Sequence, residues 1–185
     1  MPPAPLRAPK SQWIGVASQT LGDQGLAAVR VEVLASVIGV TKGSFYAHFA
    51  NRAELLQAVL DDWERRSAAD VLERVEAQST APARKIRLAG LLTFKDDLRR
   101  VDLAVRDWTR TDPEVRERLR RVDEARMDYL RKQFAYLVHE PDEIEARSIL
   151  AFTLAIGRDF LVDNLDASRA DAVMRRVEHL LGLTN

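Results

Sequence analysis

Residues 31–49 read VEVLASVIGVTKGSFYAHF, and this stretch decides the fold that we predict for the N-terminal part of the chain. Apolar residues recur at three- and four-residue spacing on both sides of Gly39, which is typical of short helices. Glycine suits a tight turn between two helices because it adopts positive φ without a Cβ clash. We therefore predict one helix at about 31–37 and another at about 41–48, joined as a helix-turn-helix.

The second of these helices is predicted to have one buried face and one polar face. Phe45 and Phe49 lie four residues apart and are expected to anchor it in the core. Thr41 is expected to cap its first turn through the side-chain hydroxyl. Gly43 would let the backbone come close to a DNA groove. The other positions carry side chains that donate hydrogen bonds to phosphate or base edges, namely Lys42, Ser44, Tyr46 and His48.

The residues on either side extend the helical pattern. A first helix is predicted at about 10–23, ended by Gly25. Asn51 and Glu54 have the spacing of an N-terminal capping box, which would open a fourth helix that continues to about 76. Four prolines among the first nine residues predict a disordered arm at 1–9.

The remainder of the chain also predicts helices, because no alternating strand pattern with hairpin turns occurs in it. Helix starts are indicated where Pro82, Pro113 and Pro141 follow a turn or cap residue. Ser168 and Asp171 have the spacing of a second capping box, for the last helix. The prediction is an all-α protein of about nine helices.

The composition excludes several classes of protein. The 185 residues include 28 basic and 28 acidic side chains and no cysteine, so disulfides and thiolate chemistry are excluded. Residues 1–52 carry five basic side chains against two acidic ones, which is the right sign for binding phosphate. No apolar run is long enough for a membrane span or an export signal, and a cytoplasmic location is expected.

The N-terminal third resembles the DNA-binding domain of the TetR family of one-component transcriptional regulators. The resemblance covers residues 11 to about 60. It rests on Leu34-Ala35, Gly39-Val40-Thr41, Gly43, Tyr46 and His48-Phe49, with Ala17, Leu21 and Gly25 upstream and Asn51-Arg52 and Leu55 downstream. One position departs from the family pattern: Val29-Arg30 stands where members often have a threonine that caps the second helix.

The resemblance implies a DNA-binding domain at 10–57 and a regulatory and dimerisation domain at 58–185. It implies a homodimer that binds a palindromic operator and is released by a small molecule, most often as a repressor and sometimes as an activator. Carried over by position, the contacts to base edges would come from Thr41, Lys42 and Ser44, beside Gly43. The contacts to phosphate would come from Arg30, Tyr46, His48 and Arg52.

The aromatic residues beyond position 90 fill a core or line a ligand cavity, and spacing alone favours the core. The resemblance implies an inducer pocket, for which the candidates are Trp108, Tyr129 and Phe152. For dimerisation, apolar and small residues on the last two helices suit a two-fold four-helix bundle. These candidates are Ala151, Ala155, Val173, Val177 and Leu180.

Two other classes of function fit the sequence less well. A small helical enzyme would need a catalytic constellation, but the sequence has neither a glycine-rich phosphate loop nor a nucleophile elbow. The scattered positions of His48, His139 and His179 argue against a metal site, and no cofactor is expected. A helical protein-interaction module would leave Lys42 and Tyr46 without a purpose. The sequence therefore favours a DNA-binding regulator that is not an enzyme.

Overall fold

The computed structural model describes residues 8–93, 96–162 and 166–184. Residues 1–7, which make up most of the predicted arm, lie outside the described residues. Within the described ranges the regular structure is helical and no strand occurs, so the all-α prediction is confirmed. The α-helices are α1 (Lys10–Gln24), α2 (Val31–Ile38), α3 (Lys42–Tyr46), α4 (Arg52–Ser67), α5 (Ala69–Gln78), α6 (Pro82–Thr93), α7 (Asp96–Trp108), α8 (Pro113–Phe134), α9 (Pro141–Val162) and α10 (Ala167–Leu180), and a 3-10 helix spans Leu26–Ala28.

The turn of the helix-turn-helix forms where the glycine predicts it. Gly39 has φ 79° and ψ 31°, in the left-handed region that favours glycine. The amides of Gly39 and Val40 both donate to the carbonyl of Ala35 at 3.0 Å, which satisfies the end of α2. Helix α3 ends at Tyr46 rather than at about 48, so the predicted helix is two residues too long.

The predicted fourth helix is not continuous to residue 76. Ala68 has φ −123° and ψ −76°, outside the helical region, and separates α4 from α5. This break accounts for ten α-helices in the described ranges where about nine were predicted. Nothing in the local sequence around Ala68 marks the break, since neither glycine nor proline is present there.

The predicted helix starts differ in outcome. The Asn51 side chain accepts from the amide of Glu54 at 3.0 Å, as in a capping box, while the Glu54 carboxylate accepts at 2.7 Å from the amide of Ala50, the residue before the cap. At the start of α10, the predicted Ser168 cap is wrong. Asp166 is the N-cap and accepts from the amide of Arg169 at 2.9 Å, because a carboxylate two residues earlier competes for the same role.

The described residues form two compact units. The first comprises those of Met1–Ser67 and Asp96–Leu119, in which α1 packs against α7 and α4. Its core contains fully buried Trp13, Leu21 and Trp63. The second comprises those of Ala68–Lys95 and Arg120–Asn185, and its core includes Ile86, Leu130, Phe134 and Leu181. The functional boundary at residue 57 stays a prediction.

Candidate nucleic-acid interface

An aromatic cluster fixes the orientation of α3. The ring of Phe45 lies 5.3 Å from Trp13 in an edge-to-face arrangement and 5.4 Å from the stacked ring of Phe49. All three side chains are buried. A helix of five residues is too short to be stable alone, so this packing holds α3 in place and determines which side faces outward.

The outward side of α3 carries half of the eight predicted DNA-contact residues. Thr41, Lys42 and Gly43 are exposed at its start, and Tyr46 is 62% exposed at its end, with one edge against Phe45. Arg30 is also exposed and immediately precedes α2. Within the described residues its side chain does not cap α2, as the departure from the family pattern at this position predicts.

An acidic side chain lies at the same surface. Glu32, in the first turn of α2, places its Oε1 2.6 Å from Nζ of Lys42, and the two side chains are 60% and 55% exposed. The hydrogen bond from Lys42 lowers the pKa of Glu32 below its ordinary value, so the carboxylate is ionised at neutral pH. Sequence reasoning missed Glu32, although it is one of two acidic residues in the first 52.

At the start of α3 the predicted Thr41 cap is wrong, whereas the base contact predicted for Ser44 stays a prediction. Ser44, predicted to contact a base edge, is only 8% exposed, and its hydroxyl has no hydrogen-bond partner among the described residues. The amide of Ser44 donates to the carbonyl of Thr41 at 3.0 Å. This bond occupies one of the two amides, those of Gly43 and Ser44, to which a Thr41 side-chain cap could bond. The Thr41 hydroxyl makes no capping bond within the described chain.

Two predicted phosphate contacts have partners inside the protein. His48 is half-buried, and its Nε2 donates to the carbonyl of Ala8 at 2.8 Å, which holds that buried residue against the turn after α3. Arg52 donates through Nη2 to the carbonyl of Leu26 at 2.7 Å and through Nε to the carbonyl of Val29. The Arg52 guanidinium therefore ties the start of α4 to the segment that leads into α2.

Comparison with known proteins agrees with this geometry. Residues 14–59 match the family described as bacterial regulatory proteins, tetR family. Over 52 residues the chain is 40% identical to the HTH-type transcriptional regulator TtgR of Pseudomonas putida. The N-terminal part of the chain is therefore similar to TetR-family regulators. The segment shared with TtgR is 28% of this chain and 25% of TtgR, so the match spans only about a quarter of the length of that relative.

Solved structures extend the likeness in fold to nearly the whole chain. A transcriptional regulator from Rhodococcus sp. Rha1 is 21% identical, with a TM-score of 0.67 over 94% of this chain and 92% of that one. AibR, crystallised with isovaleryl coenzyme A and operator DNA, is 17% identical, with a TM-score of 0.66 over 89% of this chain and 95% of that one. At these identities the likeness shows the shared fold.

The three predicted ligand-binding residues are divided between the two units. Trp108 is buried in the first unit. In the second unit, the Tyr129 hydroxyl donates to Glu76 at 2.7 Å, and burial together with this bond raises the pKa of Tyr129. Phe152 is half-buried against the core of the same unit. A ligand-binding role for these residues stays a prediction.

The five predicted dimerisation residues divide into inward and outward groups. Ala151 and Val177 pack against the core of the second unit. A Cβ built on Gly90 of α6 would lie 4.0 Å from Cβ of Ala155, so Ala155 faces α6 within the same chain. The outward group consists of Val173 and of Leu180, which is 72% exposed. Ile149 and Leu150 on α9 are exposed as well, and Leu150 was not predicted.

Two further kinds of site do not occur in the described part of the chain. No cluster of three or more histidine, aspartate or glutamate side chains there is arranged to hold a metal ion. None of the helices described is long and apolar enough to cross a membrane.

Proposed function

We propose that this chain is a DNA-binding transcriptional regulator of the TetR family that acts as a homodimer on a palindromic operator and responds to a small molecule. The observation that carries the proposal is the two-sided character of α3. Phe45, with Phe49 just after the helix, holds one side of α3 in the core, while Lys42 and Tyr46 project from the other side. A second helix of a helix-turn-helix held in this way is suited to the major groove.

The exposed side chains suggest a division of labour on the duplex. Lys42 would donate to guanine O6 or N7, which is among the commonest specific contacts in the major groove. Gly43 would allow close approach of the backbone. Tyr46 and Arg30 would donate to phosphate, which positions the protein and carries no sequence information. His48 and Arg52 would act indirectly, by holding the elements that present these contacts.

The exposed apolar side chains of the second unit support assembly into a homodimer. Leu150 and Leu180 would leave apolar surface in water unless a second copy covered it. A two-fold axis would pair α9 and α10 with their copies and place the two α3 helices about one DNA turn apart, ~34 Å, or a small multiple of that. A palindromic operator follows from the same symmetry.

A small-molecule effector is proposed from the likeness to AibR, which was crystallised with both isovaleryl coenzyme A and operator DNA. An effector that binds one arrangement of the dimer better than another would shift the population of the two and change DNA affinity. Repression by occupancy of the operator is the proposed mode. We propose no catalytic activity for the chain. A cytoplasmic location is part of the same proposal.

Selection from a random duplex pool, followed by fluorescence anisotropy on the selected duplex, tests this proposal. Lys42→Ala should lower affinity and change the selected sequence, whereas Tyr46→Phe should weaken binding to all duplexes alike. Lys132→Ala removes the same charge from an exposed position on α8 and should change neither. Absence of duplex binding by the wild-type protein at low salt, without added ligand, would refute the proposal.

A further inference from the structure

The ion pair between Glu32 and Lys42 places opposite charges at one point of the proposed DNA surface. Nζ of Lys42 and Oε1 of Glu32 are 2.6 Å apart, and each side chain is more than half exposed. The two residues come from different helices, α2 and α3. Wherever the tip of Lys42 meets DNA, the carboxylate of Glu32 is within reach of the same place.

The stability of the fold does not explain why a carboxylate lies in this position. Exposed ion pairs contribute little to folding, so the pair can separate and re-form without disturbing the fold. Near DNA, however, the carboxylate is a like charge facing phosphate, which disfavours binding unless the carboxylate finds a donor. In the major groove that donor is an amino group on a base, and cytosine N4 is the usual partner of glutamate.

We propose that Glu32 and Lys42 together recognise one G·C base pair, so that Glu32 is a specificity-determining residue of the DNA surface. This inference rests on the proposed function. A G·C pair presents the N7 and O6 acceptors of guanine beside the N4 amino donor of cytosine. That order matches an ammonium group held next to a carboxylate. Lys42 would donate to guanine while Glu32 accepts from cytosine.

The other base pairs match the ion pair less well. An A·T pair also places a donor beside an acceptor, but its edge carries the thymine methyl group, which offers no partner to a charged side chain. A G·C pair in the reverse orientation exchanges the donor and acceptor positions. The ion pair should therefore favour one base pair in one orientation, by about tenfold over the alternatives.

The test begins with the selected duplex of the wild-type protein. Each half-site should contain one G·C pair whose replacement by A·T or whose inversion lowers affinity by about tenfold. Glu32→Ala should reduce this preference to about twofold or less, and should raise affinity for a shuffled duplex because a like charge is removed. Glu32→Gln should shift the preference towards adenine, the usual partner of glutamine.

Two controls separate recognition from general charge. Glu73→Ala removes the same charge from an exposed position on α5 and should leave the base-pair preference unchanged. In a Lys42→Ala background, Glu32→Ala should cause little further loss of preference, because the two side chains act on one base pair. Circular dichroism and the thermal midpoint establish that each variant is folded.

Three results would overturn the inference. If Glu32→Ala keeps the same base-pair preference, Glu32 does not take part in recognition. If Glu32→Ala strengthens binding to selected and shuffled duplexes by the same factor, the carboxylate only repels DNA. In both cases the proposed function survives. If the wild-type protein binds no duplex, the proposed function fails and the inference fails with it.

Discussion

Helix α3 and the pair α9–α10 expose opposite kinds of side chain. Helix α3 presents Lys42 and Tyr46 to solvent above a fully buried aromatic cluster. Helices α9 and α10 present apolar side chains such as Leu150 and Leu180, while the aromatic Phe152 of α9 is only half-buried against the core. The exposed surface of α3 is polar and covers fully buried aromatic residues. The exposed surface of α9 and α10 is apolar and lies beside a side chain that is only half-buried.

The difference indicates different partners. Polar side chains over a closed core remain hydrated without a partner, and their hydrogen-bond donors suit a charged polymer such as DNA. Exposed apolar surface is unfavourable by about 25 cal/mol per Å², so a second apolar surface that covers it gains free energy. The helix-turn-helix is therefore complete as a folded element before it meets DNA, whereas α9 and α10 are expected to gain stability from a second copy.

The largest effect is expected from opening the closed core. Phe45→Ala removes a fully buried ring that contacts Trp13 and Phe49, and should lower the free energy of unfolding by about 3–5 kcal/mol. Urea denaturation measures this change. Tyr46→Ala removes a neighbouring ring that is largely exposed, and should lower it by less than about 1 kcal/mol while still weakening DNA binding. Similar losses for the two variants would contradict the closed-core description of α3.

A second effect should appear in the mass of the particle. Light scattering of the wild-type protein at micromolar concentration should give twice the 20.9 kDa chain mass. Leu180→Glu and Leu150→Glu should each give a monomer, because a charge would be buried without a partner in the interface. Val37→Glu, at an exposed apolar position of α2, is the matched control and should stay dimeric.

A wild-type monomer, or a dimer unaffected by both leucine substitutions, would contradict a dimer interface on α9 and α10. Ala155→Arg, the substitution that the sequence suggests, is less informative. Ala155 lies close to Gly90 within the same chain, and an arginine there would disturb the fold of the second unit itself. The exposed leucines test the interface without that complication.

Local patterns in the sequence predicted the features that depend on neighbouring residues. Gly39 at the turn, the cap at Asn51 and the helix start at Pro113, where the preceding Asp112 accepts from the amide of Glu114, all involve contacts within a few residues. The inward position of Ser44 was not predictable in the same way. The spacing of Phe45 and Phe49 gives the centre of the buried face, but a helix of five residues has too few turns to show whether Ser44 lies within its edge.

Contacts between residues far apart in the chain could not be predicted from the sequence either. His48 bonds a carbonyl 40 residues away, and Arg52 bonds a carbonyl 26 residues away, so neither partner can be read from spacing. Both side chains were assigned to phosphate because they are basic and lie near α3. In the C-terminal helices, the apolar stripes were predicted, but which members face inward, such as Ala151 and Val177, depends on packing.

The smallest effect is expected from substitutions of Arg52. They test whether this basic residue belongs to the polar surface around α3 or to the structure beneath it. Arg52→Lys keeps the charge but replaces a two-pronged donor by a point charge, so only one of the two carbonyls should keep its partner. The free energy of unfolding should fall by about 1–2 kcal/mol.

The dependence of DNA affinity on salt separates the two roles. Each phosphate contact contributes about 0.9 to the slope of log affinity against log salt concentration. Arg52→Gln should weaken binding but leave that slope unchanged, because the guanidinium holds the segment before α2 and does not displace counterions. Arg30→Gln removes an exposed arginine from the same region and should lower the slope by about 0.9. A loss of about 0.9 in the slope for Arg52→Gln would show instead that Arg52 leaves its two carbonyls and binds phosphate in the complex.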